Sequence, residues 1–192
     1  MKIYLNKIRE DWIVDRFYKE WYKNNAKIST KLFNRSDIVW IIAPWMNNIN
    51  FNNLENKKTV CTIHHIDFQK FNTEEEKKFY ERDRYIDAYH AVSNKTADSL
   101  KELTEKKIYS IPFWANQKLF FKISEKDNLK KSFGINSDRY LIGSFQRDTE
   151  GSGNELPKLS KGPDRLLEIY QKIHSLKPNL SVVLTGYRRE YL

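Results

Sequence analysis

Cysteine is nearly absent. Cys61 is the only one in 192 residues. One thiol excludes an internal disulfide and any cysteine-rich zinc site. It fits a reducing compartment. Glycine (6) and proline (5) are also scarce, which excludes a collagen-like or low-complexity chain. No apolar run approaches the roughly 20 residues needed to cross a bilayer. The longest, Ile38 to Ala43, has the length of a strand. The opening MKIYLNKIRED has no apolar core of the kind a signal peptide needs. These absences lead us to expect a soluble, cytoplasmic protein. Any membrane contact would be peripheral, at the anionic inner face of the plasma membrane.

What is present is a chain able to build a core. Hydrophobic residues make up 40%, which argues against wholesale disorder. The formal net charge is +9, from 34 cations and 25 anions. The excess is spread out: residues 1–138 carry 25 cations and 19 anions, residues 139–192 carry 9 and 6. No basic tail or stripe appears, so no specific nucleic-acid partner is expected. A basic cleft for a phosphorylated ligand, or an anionic membrane surface, fits the charge equally well.

The pattern alternates strand and helix. Strands are expected at Lys2–Leu5, 38–43, Thr59–Ile63, Ala88–Val92 and Ile108–Ile111. Between them Asp11–Trp21 reads as a helix, with apolar residues at 13, 14, 17, 18 and 21. Thr73–Arg84 and a helix capped by Ser93 follow. Residues 122–138 are polar and read as a connection. The pattern then restarts with a strand at Leu141–Phe145 and a long loop, Gln146 to Lys161. Next come a helix opened by Gly162-Pro163 and a strand at Leu180–Leu184. The aromatic group Trp12, Trp21, Trp40 and Trp45 is expected to pack in the core. This alternation implies a mainly parallel sheet with helices on its faces. In such sheets ligands bind beyond the carboxyl ends of strands.

Four constellations lie at such ends. Thr62-Ile63-His64-His65-Ile66-Asp67 places a histidine just past a buried strand, where it could donate to a hydroxyl or move a proton. On the residues alone, a hydrogen-bonded loop histidine is the more economical reading. No third ligand at metal spacing follows the pair. Ser144 to Gly151, then Lys161-Gly162-Pro163-Asp164, sets an arginine (Arg147) and a lysine (Lys161) beside a helix N-terminus. Such a terminus favours anions. The segment lacks both glycine fingerprints of nucleotide sites. A solvated loop is an equal reading. Arg188 and Arg189 follow Thr185-Gly186, and Asn116 ends Ile111-Pro112-Phe113-Trp114-Ala115. Both are compatible with routine surface or seam roles. Cys61, inside an apolar strand, is expected to be inert.

In order along the chain, these pieces resemble a bacterial family 4-like glycosyltransferase of the GT-B type. Val60 to His64 is similar to that group's strand ending in a functional histidine. Ile86 to Ser93 resembles its strand running into a serine. Ile111 to Asn116 stands where the family has I-P-N-G-V-D. Ile142 to Arg147 and Lys161 to Asp164 resemble the G-R-x-x-x-x-K-G element of the donor domain, and Val183 to Gly186 the next strand. The resemblance covers about residues 37–192.

The resemblance implies an α/β chain: a Rossmann-like parallel-sheet domain at 1–121, a connection at 122–138, and the first β-α-β unit of a second Rossmann-like domain at 139–192. It implies a retaining transfer from a nucleotide-sugar, with no metal and no other cofactor. His64, Arg147 and Lys161 would be catalytic. Arg147, Lys161, Gly162 and Arg188 would bind the donor. His65, Ser93 and Asn116 would face an acceptor that is a glycan, a lipid or a small molecule. The E-x7-E stretch of the family is not in the 192 residues. The expectation is therefore a truncated transferase, with a missing C-terminal half or a partner chain. The competing expectations are a non-catalytic binding module and, from the charge alone, a nucleic-acid binder.

Overall fold

In the computed structural model, the structure describes residues 1–6, 13–46, 49–68, 71–151, 154–186 and 189–191. The chain divides into two units, Met1–Asn116 and Gln117–Leu192.

The first unit is built on five parallel strands in the order β1 to β5. They are β1 (Ile3–Leu5), β2 (Ile38–Ile41), β3 (Lys58–Ile63), β4 (Ala88–Ala91) and β5 (Lys107–Ser110). Strand periodicity sends alternate side chains to opposite faces. Val39, Ile41, Cys61, Ile63, Tyr89 and Ala91 lie on one face. There they meet Phe79 of α2 (Thr73–Asp83) and Ala97 and Leu100 of α3 (Asn94–Lys101). Leu5, Trp40 and Ile42 lie on the other face. They meet Val14, Phe17 and Trp21 of α1 (Ile13–Asn24), and Phe113 and Trp114 from beyond β5. A sheet covered on both sides explains why β2 and β3 read as continuous apolar runs.

Each helix ends for a local reason. The Asn72 side chain accepts from the backbone N–H groups of Glu74 and Glu75 and so starts α2. Ser93 Oγ accepts from Thr96 N and starts α3. At the far end of α2, Asp83 accepts from Tyr89 Oη (2.8 Å) and Thr104 Oγ1 (3.0 Å), with Lys106 beside it (3.8 Å).

The strand order conceals a reversal. After β1 the chain runs along α1 and returns to the outer edge of β1. There Ser29 forms a parallel bridge with Ile3, and Thr30 N donates to Ile3 O (2.9 Å). Phe33 then packs edge-on against Tyr4, on the face opposite α1 (5.6 Å). The chain enters β2 on the inner side of β1. The turn in direction between β1 and β2 is the switch point of a doubly wound sheet, reduced on one side to a single bridge. Asn6 closes it: its N–H donates to Trp40 O (3.1 Å) and its Oδ1 accepts from Ile42 N (2.8 Å).

The second unit holds α4 (Lys126–Ser132), β6 (Tyr140–Ser144), α5 (Pro163–Leu176) and β9 (Leu180–Leu184). β6 and β9 pair in parallel, Tyr140 opposite Leu180. Among the described residues no further strand joins that pair. The expected loop at 146–161 is instead a small antiparallel hairpin, β7 (Thr149–Gly151) and β8 (Asn154–Pro157), followed by a 3-10 turn at Leu159–Lys161. Strands of three and four residues are too short to show a period, so the segment read as polar loop.

No described helix is long and apolar enough to cross a membrane. Of the tryptophans expected in the core, Trp21 and Trp40 pack edge to face (5.1 Å). Trp12 lies outside the described residues. Trp45 is corrected: it is 48% exposed, because Pro44 ends β2 and carries it onto the surface at the strand's carboxyl end.

Candidate functional site

Two places collect the sequence-predicted residues, one in each unit. In the first unit His64 follows β3 directly. Its Nε2 donates to Ile42 O (2.9 Å), and its ring lies between Trp45 (4.9 Å) and Phe113 (5.3 Å). Ile42 thus receives His64 on its carbonyl and gives its N–H to Asn6. The strand ends at the switch point are stapled through one residue. His64 O also accepts from Thr96 Oγ1 (3.3 Å), and Thr96 is bonded to Ser93 Oγ (3.0 Å). Ser93 therefore acts here as a helix cap that buttresses the His64 backbone. His65 is exposed.

Both histidines line a cleft of about 810 Å³ at the end of β3, walled by Trp45, Phe51, Phe71 and Phe79 and bordered by α2. That volume lies in the usual range of ligand pockets. Asn116 sits on the α1 face. Its Nδ2 donates to Glu20 Oε1 (2.8 Å), and Trp114 Nε1 donates to Glu20 Oε2 (2.7 Å). These donors, Asn116 first, hold the Glu20 carboxyl below its ordinary value, with help from the Arg16 charge at 3.7 Å.

Sequence reasoning missed a buried relay beneath this end of the sheet. Trp40 Nε1 donates to Thr62 Oγ1 (2.8 Å), and Thr62 Oγ1 donates to His90 Nδ1 (3.0 Å). His90 Nε2 donates to Ile111 O (2.7 Å). A carbonyl can only accept and Nδ1 must receive, so the neutral Nε2–H tautomer is selected. Burial pushes the imidazole below its ordinary value. Only pairing across β2, β3 and β4 aligns these three side chains. Cys61 is fully buried, and burial pushes its thiol up to about 11. The inert reading of Cys61 stands.

In the second unit Arg147 lies three residues past β6 and Lys161 ends the 3-10 turn before α5. Both are exposed. Gln146 Nε2 donates to Lys161 O, which ties the two segments together. Gly162 then turns the chain with φ +65, a left-handed conformation that favours glycine, and Pro163 opens the helix. No side chain caps α5. The hairpin is fastened by Lys158 to Glu150 (2.6 Å) and by Thr149 Oγ1 to Glu190 (3.0 Å), and Arg189 Nη2 donates to Ser144 O at the end of β6 (2.7 Å). Arg188 lies outside the described residues. Among the described residues no three His, Cys, Asp or Glu side chains form a metal-ligand group.

No family model matches the chain, and no curated protein matches it. Solved structures do. The fold resembles that of Anabaena HepE. The HepE structure in complex with UDP and glucose superposes with a TM-score of 0.64 at 10% identity, covering 95% of this chain and 60% of HepE. HepE in complex with UDP-glucose gives 0.56 at 11% identity, over 97% of this chain and 69% of that one. At such identity the likeness is one of fold, and the chain spans about 60% of HepE in the first of these matches. The α/β parallel-sheet architecture read from the strand–helix alternation, Rossmann-like as the resemblance implied, is thereby shown.

Proposed function

We propose that the chain is a glycosyltransferase that moves a sugar from a nucleotide-sugar donor to an acceptor hydroxyl, with retention at the anomeric carbon. The observation that carries this reading is the fold shared with HepE, whose structures hold UDP and UDP-glucose. In this reading the second unit takes the donor and the first unit the acceptor. The bond from the anomeric carbon to the diphosphate breaks, a bond to the acceptor oxygen forms, and the acceptor proton is released.

The departing nucleoside diphosphate gains negative charge. Arg147, Lys161 and the N-terminal N–H groups of α5 would supply positive charge to the departing group. Charge fixed before the reaction stabilises the transition state without reorganisation. Gly162 keeps the helix entrance open, and Arg188 would add a further cation. No metal or other cofactor is assigned a step. In the first unit His64 would face the transferred sugar or the acceptor, with His65 at the cleft rim. Peripheral attachment to an anionic membrane belongs to the same proposal.

Calorimetric titration with UDP and UDP-glucose tests it. We expect saturable binding that weakens about tenfold in Lys161→Ala, a loss of about 1.4 kcal/mol. Absence of UDP binding, or binding indifferent to both Lys161→Ala and Arg147→Ala, overturns it.

A further inference from the structure

The cleft beside β3 has a chemistry unlike that of the α5 entrance. Its polar lining carries charges of both signs. Asp67, Glu75 and Glu81 stand against Lys78 and Arg82. Lys78 is already held by Glu74 (2.8 Å) and Glu75 (3.1 Å). The Arg82 guanidinium lies over the Phe79 ring (5.4 Å), and its buried Nε has no hydrogen-bond partner. Interleaved with these groups are aromatic faces, above all the half-exposed indole of Trp45 set against the His64 ring.

Such a lining selects by elimination. With Lys78 and Glu75 paired to one another, a phosphate or pyrophosphate would meet two further carboxylates, Asp67 and Glu81, and one further cation, Arg82, among the described lining residues, so repulsion opposes it. An alkyl chain would bury those carboxylates without replacing their hydration, which is costly. A neutral sugar ring suits every part of the lining. Its C–H face lies on an aromatic surface, its hydroxyl protons go to carboxylates, and its hydroxyl oxygens accept from the guanidinium. The cleft volume of about 810 Å³ leaves room for more than one ring.

We infer that this cleft binds the neutral saccharide end of a glycan acceptor, through stacking on Trp45 and hydrogen bonds to Glu81 and Arg82. The inference rests on the glycosyltransferase reading, and it narrows the acceptor from glycan, lipid or small molecule to the first.

Saturation-transfer NMR on the full chain with maltose, cellobiose, lactose and chitobiose is the test. We expect saturable transfer from at least one disaccharide, unchanged between low and high salt because no ionic pairing is involved. It should weaken about tenfold in Trp45→Ala and in Glu81→Gln. Glu81 is exposed on α2, so its amide variant keeps the fold. UDP affinity should be the same in both variants. The inference is overturned by no transfer from any of the four sugars, or by transfer that survives both substitutions. It is also overturned if binding of pyrophosphate or of phosphatidylglycerol vesicles, rather than of a disaccharide, is what Trp45→Ala weakens. The UDP titration separates the two claims. Lost UDP binding with intact disaccharide binding overturns the transferase reading alone. The reverse result overturns the cleft assignment alone.

Discussion

The two units bury their apolar residues very differently. In the first, two clusters on either face of a five-stranded sheet enclose Val39, Ile41, Cys61, Phe79, Tyr89 and Leu100 on one side, and Leu5, Val14 and Ile42 on the other. In the second, Leu180 is the only large apolar side chain buried among the described residues, while Ile169 and Leu176 of the α5 stripe are 52% and 82% exposed. Yet the α5 stripe is as clear in sequence as that of α1. The difference lies in partners. An amphipathic helix is stabilised mainly by the surface its apolar face meets, and two strands offer little. The unit rich in core presents an aromatic cleft lined by charges of both signs, and the unit poor in core presents exposed cations.

The largest expected effect tests that contrast directly. Phe79→Ala should cost about 4 kcal/mol, the usual cost of emptying a filled aromatic site. Ile169→Ala should stay within about 0.5 kcal/mol, as for other exposed positions. Urea unfolding of the two variants measures both, and equal losses would break the comparison.

Next comes Glu20. Removing it in Glu20→Ala leaves Trp114 Nε1 and Asn116 Nδ2 without their shared acceptor. The expected loss is about 2 kcal/mol. Because its carboxyl is held below the ordinary value, its contribution is present at neutral pH and is lost as pH falls through the folded value. Glu20→Gln should remove that acid-dependent part of the stability curve.

A smaller effect comes from His90. Burial lowers its proton affinity, so the unfolded chain binds more protons just below the ordinary imidazole value of about 6.5. Stability should be complete above that pH and fall as pH drops towards the lowered folded value. In His90→Phe that slope should vanish while the Glu20 slope persists at lower pH. Denaturant midpoints across pH check both. The smallest effect belongs to the second unit. Gly162→Ala places a side chain at φ +65, in ordinary contact with the Arg165 side chain (3.9 Å), and should cost about 1 kcal/mol. Its sharper signature is weaker UDP binding without a change in the main unfolding transition.

Much of the fold could be read before folding was considered. β2 and β3 announced themselves as β-branched runs, and Ser93 sat where a cap was needed. The pairing of Arg147 with Lys161 across the 146–161 segment was read from residue type beside a helix start. The hairpin between them was not, since its strands are too short for a pattern. Trp45, Glu81 and Arg82 carry no motif. They become a cleft because the segments that follow β2 and β3 and the side of α2 come together to line it.

The chain alone determined the order of strands and helices, the buried character of the central strands, and the polar residues placed after them. Those follow from local periodicity and turn chemistry, which act over a few residues. Tertiary structure decided three other things. It turned the chain at Ser29 to make a switch point between β1 and β2. It aligned Trp40, Thr62 and His90 into one relay, and it committed Asn116 to a hydrogen bond with Glu20. Each of these joins residues distant in the chain, and such pairings exist only once sheet register is set.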